Sequence, residues 1–309
     1  MTPLVSVIVT TYNHEPYLAD ALDATLSQRC DFGVEIVLGE DCSSDETLGV
    51  CKKFAEQYPD RVTLITSAKN VGWRANYRRC VEAAKGKYVA FCDGDDYFLD
   101  TEHLAMQVAL MEQNPNVGLS YARAERRDKN GDLIGYFPTG KGHTSLDTLL
   151  HDWCVENCTT LARRDLVLDY YATEQPENRS EWLTEDLPMW LYVAAHSEVA
   201  YIDRVMAVHR VFADSVSHST SLAKRLAFCD SSSNIKLWFD ERYNTSRQRK
   251  HLLRERMNTA LWVYSHIGSV GNFVKRWWQE IKALPIQIFN IKPYGLFAKK
   301  LFRKTKIGN

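Results

Sequence analysis

No uninterrupted apolar run in this 309-residue chain approaches the ~18 residues that a membrane-spanning helix needs, so no such helix is expected. Net charge is equally scarce. The 38 Lys and Arg against 39 Asp and Glu leave −1, too little for a global field that would draw nucleic acid. Patterned cysteine is lacking too: Cys30, Cys42, Cys51, Cys80, Cys92, Cys154, Cys158 and Cys229 are scattered, and only Cys154 and Cys158 lie close. Without a second close pair there is no zinc set, and all eight read as reduced, small core residues of a cytoplasmic protein. The chain runs into Val5-Ser6-Val7-Ile8-Val9 without a basic flank, which reads as a strand and not as a signal peptide. Internal repeats and low-complexity tracts are absent.

What is there is ample core material, with 45% apolar residues in a regular rhythm. Short apolar runs (Leu4–Thr10, Val34–Gly39, Val62–Thr66, Lys87–Cys92) alternate with amphipathic ones (Tyr17–Ser27, Asp45–Gln57, Ala75–Ala84). Ser43 or Ser44 is the expected N-cap of the second helix. Strand–helix alternation at this spacing predicts a mostly parallel sheet with helices on both faces. After Cys92 the rhythm changes. A helix over Glu102–Gln113 is followed by Val117–Glu125 and Leu133–Phe137, which flank Asn130-Gly131 and read as a hairpin. Strands are expected at Asn157–Ala162 and Val199–Arg210, with a helix over Asp186–Ala195 between them. From Leu222 the chain is polar and helical. The expectation is an α/β domain over 1–219, with a first half at about 1–100 and a second at about 101–219, then a helical extension over 220–309.

Four polar segments stand out. Asp93-Gly94-Asp95-Asp96 places three carboxylates in four positions directly after the apolar run Tyr88-Val89-Ala90-Phe91-Cys92. Carboxylates this close repel one another unless a cation or proton intervenes, and a divalent metal holding a phosphate-bearing ligand resolves that. Thr10-Thr11-Tyr12-Asn13-His14 and Glu40-Asp41-Cys42-Ser43-Ser44-Asp45 end the first two strands, and Glu185-Asp186 opens a later helix. Parallel strands put the first three ends on one rim, where ligands collect. Each segment also has a plainer reading. Asp45 suits a helix cap, and Glu185-Asp186 suits a first helical turn. His14, His143, His151, His196 and His218 read as surface or packing residues. Trp182 reads as core or as a stacking platform beside the acidic pair.

Val5-Ser6-Val7-Ile8-Val9-Thr10-Thr11-Tyr12-Asn13 resembles the opening of the family 2 glycosyltransferases, which have the GT-A fold. Glu35 to Thr47, with Glu40-Asp41-Cys42 in place of the common Asp-Asp-Gly, is similar to that family's second motif. Asn70-x-Gly72 through Gly86-Lys87-Tyr88 into Asp93-Gly94-Asp95-Asp96 resembles its third block, which ends in the DxD motif, and Thr184-Glu185-Asp186 resembles the acidic pair of its base. The resemblance implies a GT-A domain and an inverting, metal-dependent hexosyl transfer from a UDP-sugar. The acceptor would be a hydroxyl of a glycan or polyprenyl-diphosphate-linked oligosaccharide in bacterial O-antigen, capsule or lipopolysaccharide synthesis. It implies Thr11 and Tyr12 along the nucleotide, Asp41 on the uracil edge, Asp93 shaping the sugar site, Asp95 with Asp96 on Mn²⁺ or Mg²⁺, and Asp186 as general base. Arg74 and Arg78 are the candidates for phosphate contact.

The chain departs from the family pattern at Cys42, which lacks glycine's freedom at positive φ, and at Tyr77-Arg78, where an Arg-Asn pair is common. Phe212 stands at a histidine position; His209 is a candidate to stand in for it, although strand alternation points His209 to the face opposite Arg210. A nucleotidyltransferase is the competing enzyme, but it needs a Gly- and Lys-rich loop that Thr10–His14 does not resemble. A non-catalytic membrane-surface module is the other alternative, and it predicts loss of acids that are all present. Asn272–Asn309 carries nine basic residues and one acid, Glu280, interleaved with aromatics. That composition suits an anionic membrane surface, so peripheral contact with the inner face of the plasma membrane is expected of the tail.

Overall fold

The computed structural model describes residues 2–212, 221–267, 269–283 and 295. The chain divides into two compact units, Met1–Ser180 with Met189–Val211 and Glu181–Pro188 with Phe212–Asn309. The border expected at Ser219 falls outside the described residues.

The first unit is built on a nine-stranded sheet in the order β3-β2-β1-β4-β8-β6-β9-β5, with β7 paired to β6. Its strands are β1 (Val5–Thr11), β2 (Val34–Glu40), β3 (Val62–Ile65), β4 (Tyr88–Phe91), β5 (Tyr97–Phe98), β6 (Val117–Arg127), β7 (Leu133–Phe137), β8 (Leu161–Arg163) and β9 (Glu198–Arg210). The first four are parallel, as the alternation requires, and helices α1 (Leu18–Leu26), α2 (Thr47–Gln57) and α3 (Trp73–Ala83) follow β1, β2 and β3. All seven residues of β1 are buried, which explains a β-branched run broken only at Ser6. Val7, Ile8 and Val9 are fully buried, each contributing about 1.5–3 kcal/mol relative to exposure. Beyond β4 the sheet turns mixed. β8 runs antiparallel to β4 and to β6, β9 runs parallel to β6, and β6 and β7 form the expected hairpin. Helices α4 (His103–Gln113), α5 (Leu146–His151) and α6 (Arg164–Glu174) complete the unit with most of α7 (Asp186–His196). Trp190 packs edge-on against Phe91 with centroids 5.1 Å apart.

Two local expectations are corrected. Asn157–Thr159 is a 3-10 turn, not strand, and the strand is Leu161–Arg163. The Thr160 hydroxyl donates to the Asn157 carbonyl (2.7 Å) and the Thr159 hydroxyl to that of Glu156 (2.8 Å), so side chains compete with the ladder there. Helix α2 starts at Thr47, and Asp45, not Ser43 or Ser44, accepts the Thr47 N–H (3.1 Å). The serines are engaged elsewhere: Ser43 Oγ accepts the Asn13 N–H, and the Ser44 N–H donates to Asn13 Oδ1.

The second unit contains α8 (Leu222–Tyr243), α9 (Arg249–Ile267) and α10 (Val270–Ala283). Phe273 of α10 is buried with Met257 and Leu261 of α9. Trp182 is buried against Trp238 (5.4 Å) and Phe239 (6.0 Å), so it belongs to the core and is no stacking platform. Among the described residues no helix is long and apolar enough to cross a membrane. His218 and the tail residues beyond Ala283 other than Gly295 lie outside the described residues.

Candidate active site

The parallel register brings the ends of β1 and β4 together. Ile8 pairs with Phe91, and the chain beyond remains bridged: the Cys92 N–H donates to the Ile8 carbonyl (3.0 Å) and the Gly94 N–H to that of Thr10 (2.9 Å). The acid turn therefore lies against Thr10–His14. Contact is close enough that a Cβ on Gly94 would stand 2.8 Å from Thr11 Oγ1 and 3.1 Å from His14 Nδ1, so glycine is required there. The end of β2 joins the same rim through the Asp41 N–H, which donates to the Thr11 carbonyl (3.1 Å).

Each acid of the turn is held differently. Asp93 is fixed from three sides. It accepts from the Thr10 hydroxyl (2.6 Å), the Tyr77 phenol and Asn157 Nδ2 (3.3 Å), and Asn157 also donates to the phenol oxygen (3.0 Å). Asp96 is 4% exposed and is claimed by β9. Its Oδ1 accepts the Arg210 backbone N–H (2.9 Å), and its Oδ2 lies 3.2 Å from His209 Nδ1. His209 also lies 3.8 Å from Glu156, which Arg126 holds through two N–H groups (3.1 and 3.2 Å). Asp95 is different: its Oδ2 lies 3.8 Å from His14 Nε2, beside a carbonyl that accepts from Arg210 Nη1 (2.8 Å).

The electrostatics follow from this crowding. Burial, then the neighbouring Asp96, pushes the Asp95 carboxyl above its usual range, with His14 and His209 opposing. Asp93 is raised by burial and by Asp95, against its hydrogen bonds from Thr10 and Tyr77. Burial alone would lower His209, but Asp96 and Glu156 outweigh it and bring its pKa to about 10. Cys92, buried under the turn, is pushed well above its usual value by burial and by all three carboxylates. The donor set fits a hard divalent cation: oxygen ligands carrying mutually repelling charge, next to Thr11 Oγ1, a buried hydroxyl with no hydrogen-bond partner. Among the described residues no three His, Cys, Asp or Glu form a protein-only metal cage. That is the usual condition for Mg²⁺, which takes one or two carboxylates and completes its shell with phosphates and water.

Asp41, 2% exposed, organises the loop before α3. Its Oδ1 accepts from the Val71 N–H (2.8 Å) and Ser67 hydroxyl (3.3 Å), its Oδ2 from the Gly72 N–H (2.9 Å), with Gly72 at φ 87°. The Cys42 departure is accommodated rather than avoided: Cys42 adopts φ 58°, and the buried Glu40 carboxylate accepts the N–H groups of Cys42 (3.2 Å) and Ser43 (2.6 Å). Tyr12 is 45% exposed on the rim.

On α3 the pair Tyr77-Arg78 splits. Tyr77 faces Asp93, whereas Arg78 is held by Glu82 (2.8 Å) and Glu177. Arg74 lies over the Trp73 ring (4.7 Å) and donates to the Arg179 carbonyl (3.4 Å). Asp186 belongs to the second unit, opening α7, where it accepts from the Thr184 hydroxyl and the Leu187 N–H (2.8 Å). Thus Thr11, Asp41, Asp93, Asp95 and Asp96 share one rim of the first unit, while Arg74 and Arg78 have protein partners of their own.

Sequence reasoning missed several participants. His14, read as a packing or surface residue, stands beside Asp95. Both His209 and Arg210 reach the acid turn, despite strand alternation, because that turn runs into β5, which pairs antiparallel with β9 (Tyr97 with Val208), and Arg210 wraps it with a long side chain. Tyr77 carried a usable signal, lying on the buried face of α3 with Asn76, Cys80 and Val81 at helical spacing. Asn157 carried none.

The model of the family described as "Glycosyl transferase family 2" matches residues 6–166, more than half of the chain. The chain belongs to glycosyl transferase family 2. An uncharacterized protein of Mycobacterium tuberculosis is 29% identical over 225 residues, covering 72% of this chain and 62% of that protein; the chain thus spans under two thirds of the length of this relative. The putative teichuronic acid biosynthesis glycosyltransferase TuaG of Bacillus subtilis is 26% identical over 216 residues, 70% of this chain and 82% of that one. Among solved structures, the mannosyltransferase PcManGT from Pyrobaculum calidifontis, in complex with GDP-Man and Mn²⁺, is similar with a TM-score of 0.57 and 17% identity, covering all of this chain and 89% of that one. TarS of S. aureus, in complex with UDP-GlcNAc, is similar with a TM-score of 0.55 and 16% identity over 98% and 92% of the two chains. At such identities the structural likeness bears on the fold alone, and the fold of this family member is GT-A with a helical C-terminal region.

Proposed function

We propose that the chain is an inverting glycosyltransferase. It would move a hexose from a UDP-sugar to a hydroxyl of a glycan or lipid-linked oligosaccharide during synthesis of a bacterial surface polysaccharide. The observation that carries this reading is the acid turn at the end of β4, where the half-buried Asp93 and Asp95 stand close to each other and to the buried Asp96, with the pKa values of Asp93 and Asp95 raised. Such an arrangement is unfavourable by itself and becomes favourable when a cation and a diphosphate share it. The donors bound by TarS and PcManGT and the name of TuaG are consistent with a nucleotide-sugar and a polysaccharide product.

A divalent cation, when bound, neutralises charge on the departing nucleoside diphosphate as a Lewis acid. The chain's residues do the rest. Asp95 offers the carboxylate that faces the ligand, with Asp96 fixed next to it by His209 and Arg210. Asp93, locked by Thr10, Tyr77 and Asn157, orients the sugar. Thr11 and Tyr12 line the nucleotide, and Asp41 accepts from the uracil edge through the Oδ2 lone pair that Ser67, Val71 and Gly72 leave unused. Asp186 takes the acceptor proton as general base, which yields inversion in a single displacement. Arg74 and Arg78 are the two candidates for phosphate contact.

A thermal-shift screen of nucleotides and nucleotide-sugars, with and without Mn²⁺, tests the reading, followed by turnover of any donor that binds. A Mn²⁺-dependent shift with one UDP-sugar is expected. A shift with nucleoside triphosphates alone, and turnover releasing pyrophosphate, would point to nucleotidyl transfer.

A further inference from the structure

Helix α10 has two opposite faces. Phe273, Trp277 and Glu280, spaced four and three residues apart, face inward. Phe273 joins Met257 and Leu261, and Glu280 is 4% exposed between Arg256 (3.0 Å) and Arg276 (2.8 Å). Gly271, Lys275, Trp278 and Lys282, spaced four, three and four residues apart, form the opposite stripe, and all four are exposed. Trp278 is 55% exposed, the most open tryptophan among the described residues named here. The one acid of 272–309 is therefore turned inward and paired, so among the described residues the outward stripe carries cations and an aromatic without a countercharge. The sequence from 284 onward adds six basic residues and no acid.

We infer that this outward face of α10 docks on an anionic phospholipid surface. An interfacial helix lies in the headgroup plane with lysines on lipid phosphates and a tryptophan ring at the acyl boundary, and Lys275, Trp278 and Lys282 have that chemistry on one stripe. Folded protein covers the other face, so the helix lies on the membrane and does not cross it. The inference is independent of the transfer reaction proposed above.

The full chain is sedimented with vesicles of phosphatidylcholine, pure or with about 30% phosphatidylglycerol, an anionic fraction sufficient for a basic helix to sense. Binding confined to the anionic vesicles and weakened by salt is expected. Each lysine near such a surface is worth about fivefold in partitioning, so K275Q/K282Q should bind about 25-fold more weakly. Trp278→Ala should lose binding several-fold at unchanged net charge. K52Q/K53Q, which removes two exposed lysines of α2, should match the unaltered protein. Far-UV circular dichroism and thermal melts show whether α10 persists, and Trp278→Ala keeps the test open if the double variant unfolds. Unchanged binding by both α10 variants, equal binding to neutral vesicles, or retention on RNA in place of vesicles would overturn the inference.

Discussion

The two units treat buried acids in opposite ways. In the helical unit, Arg256 and Arg276 bracket Glu280, and Arg276 also holds Asp230 (2.5 and 3.0 Å), so carboxylate and guanidinium are matched within the protein. At the end of β4 three carboxylates crowd into four positions; among the described residues His209 lies 3.2 Å from Asp96, whose other oxygen accepts the Arg210 backbone N–H, while Asp95 has His14 at 3.8 Å. Crowding like charges in a partly desolvated turn costs several kcal/mol, a cost that the proposed cation and diphosphate would relieve. On that proposal the contrast is between charge matched within the fold and charge matched by a ligand.

That contrast breaks down if removing an acid has the same consequence in both places. The largest effect is expected at Asp95. Asp95→Asn should lower turnover about 10³-fold, the scale of several kcal/mol of lost charge stabilisation, while raising the thermal midpoint of the ligand-free protein. Asp186→Asn should follow with about 10²-fold or more in transfer rate, as for a general base, and unchanged UDP affinity by calorimetry. Next is a buried group with no ionic role. Burial lowers His103 from 6.5 to about 4, so the folded protein keeps it neutral while the unfolded chain protonates below 6.5. Its stability contribution is present above pH 6.5 and is lost as pH falls towards 4. His103→Leu should therefore flatten that decline, by about 2 kcal/mol at pH 5 in urea unfolding. Glu280→Gln, in contrast to Asp95→Asn, should destabilise the protein by about 1–2 kcal/mol and leave donor binding alone. Smallest is Cys42→Gly, which relieves φ 58° at the cost of a more flexible unfolded chain. A gain below about 1 kcal/mol is expected in the thermal midpoint.

The strand-rich half was readable because its physics is local. Runs such as Val5–Val9 announce two-sided burial, and polar residues directly after them must sit on the sheet rim. The acid turn stood out for the same reason, since three carboxylates in four positions need no tertiary information to look costly. What was not readable depends on contacts between distant positions. Asn157 reaches Asp93 only because a 3-10 turn, held by Thr159 and Thr160, replaces the strand its composition suggested. His209 and Arg210 reach the turn across more than a hundred residues, through β5 pairing with β9. Trp182 was left between core and stacking platform because proximity to Glu185 in sequence says nothing of Trp238 and Phe239, which place it in the core. Lone histidines favour the packing interpretation on frequency, and His14 shows how one polar strand end overrides it.

Calorimetric titration of UDP into the unaltered protein and Asp95→Asn, each with and without Mn²⁺, bears most directly on the claim that the β4 acids are kept for a cation-held diphosphate. Tighter UDP binding in Mn²⁺ for the unaltered protein, with no such gain for Asp95→Asn, is the expected result. An equal Mn²⁺ effect in both proteins would contradict it.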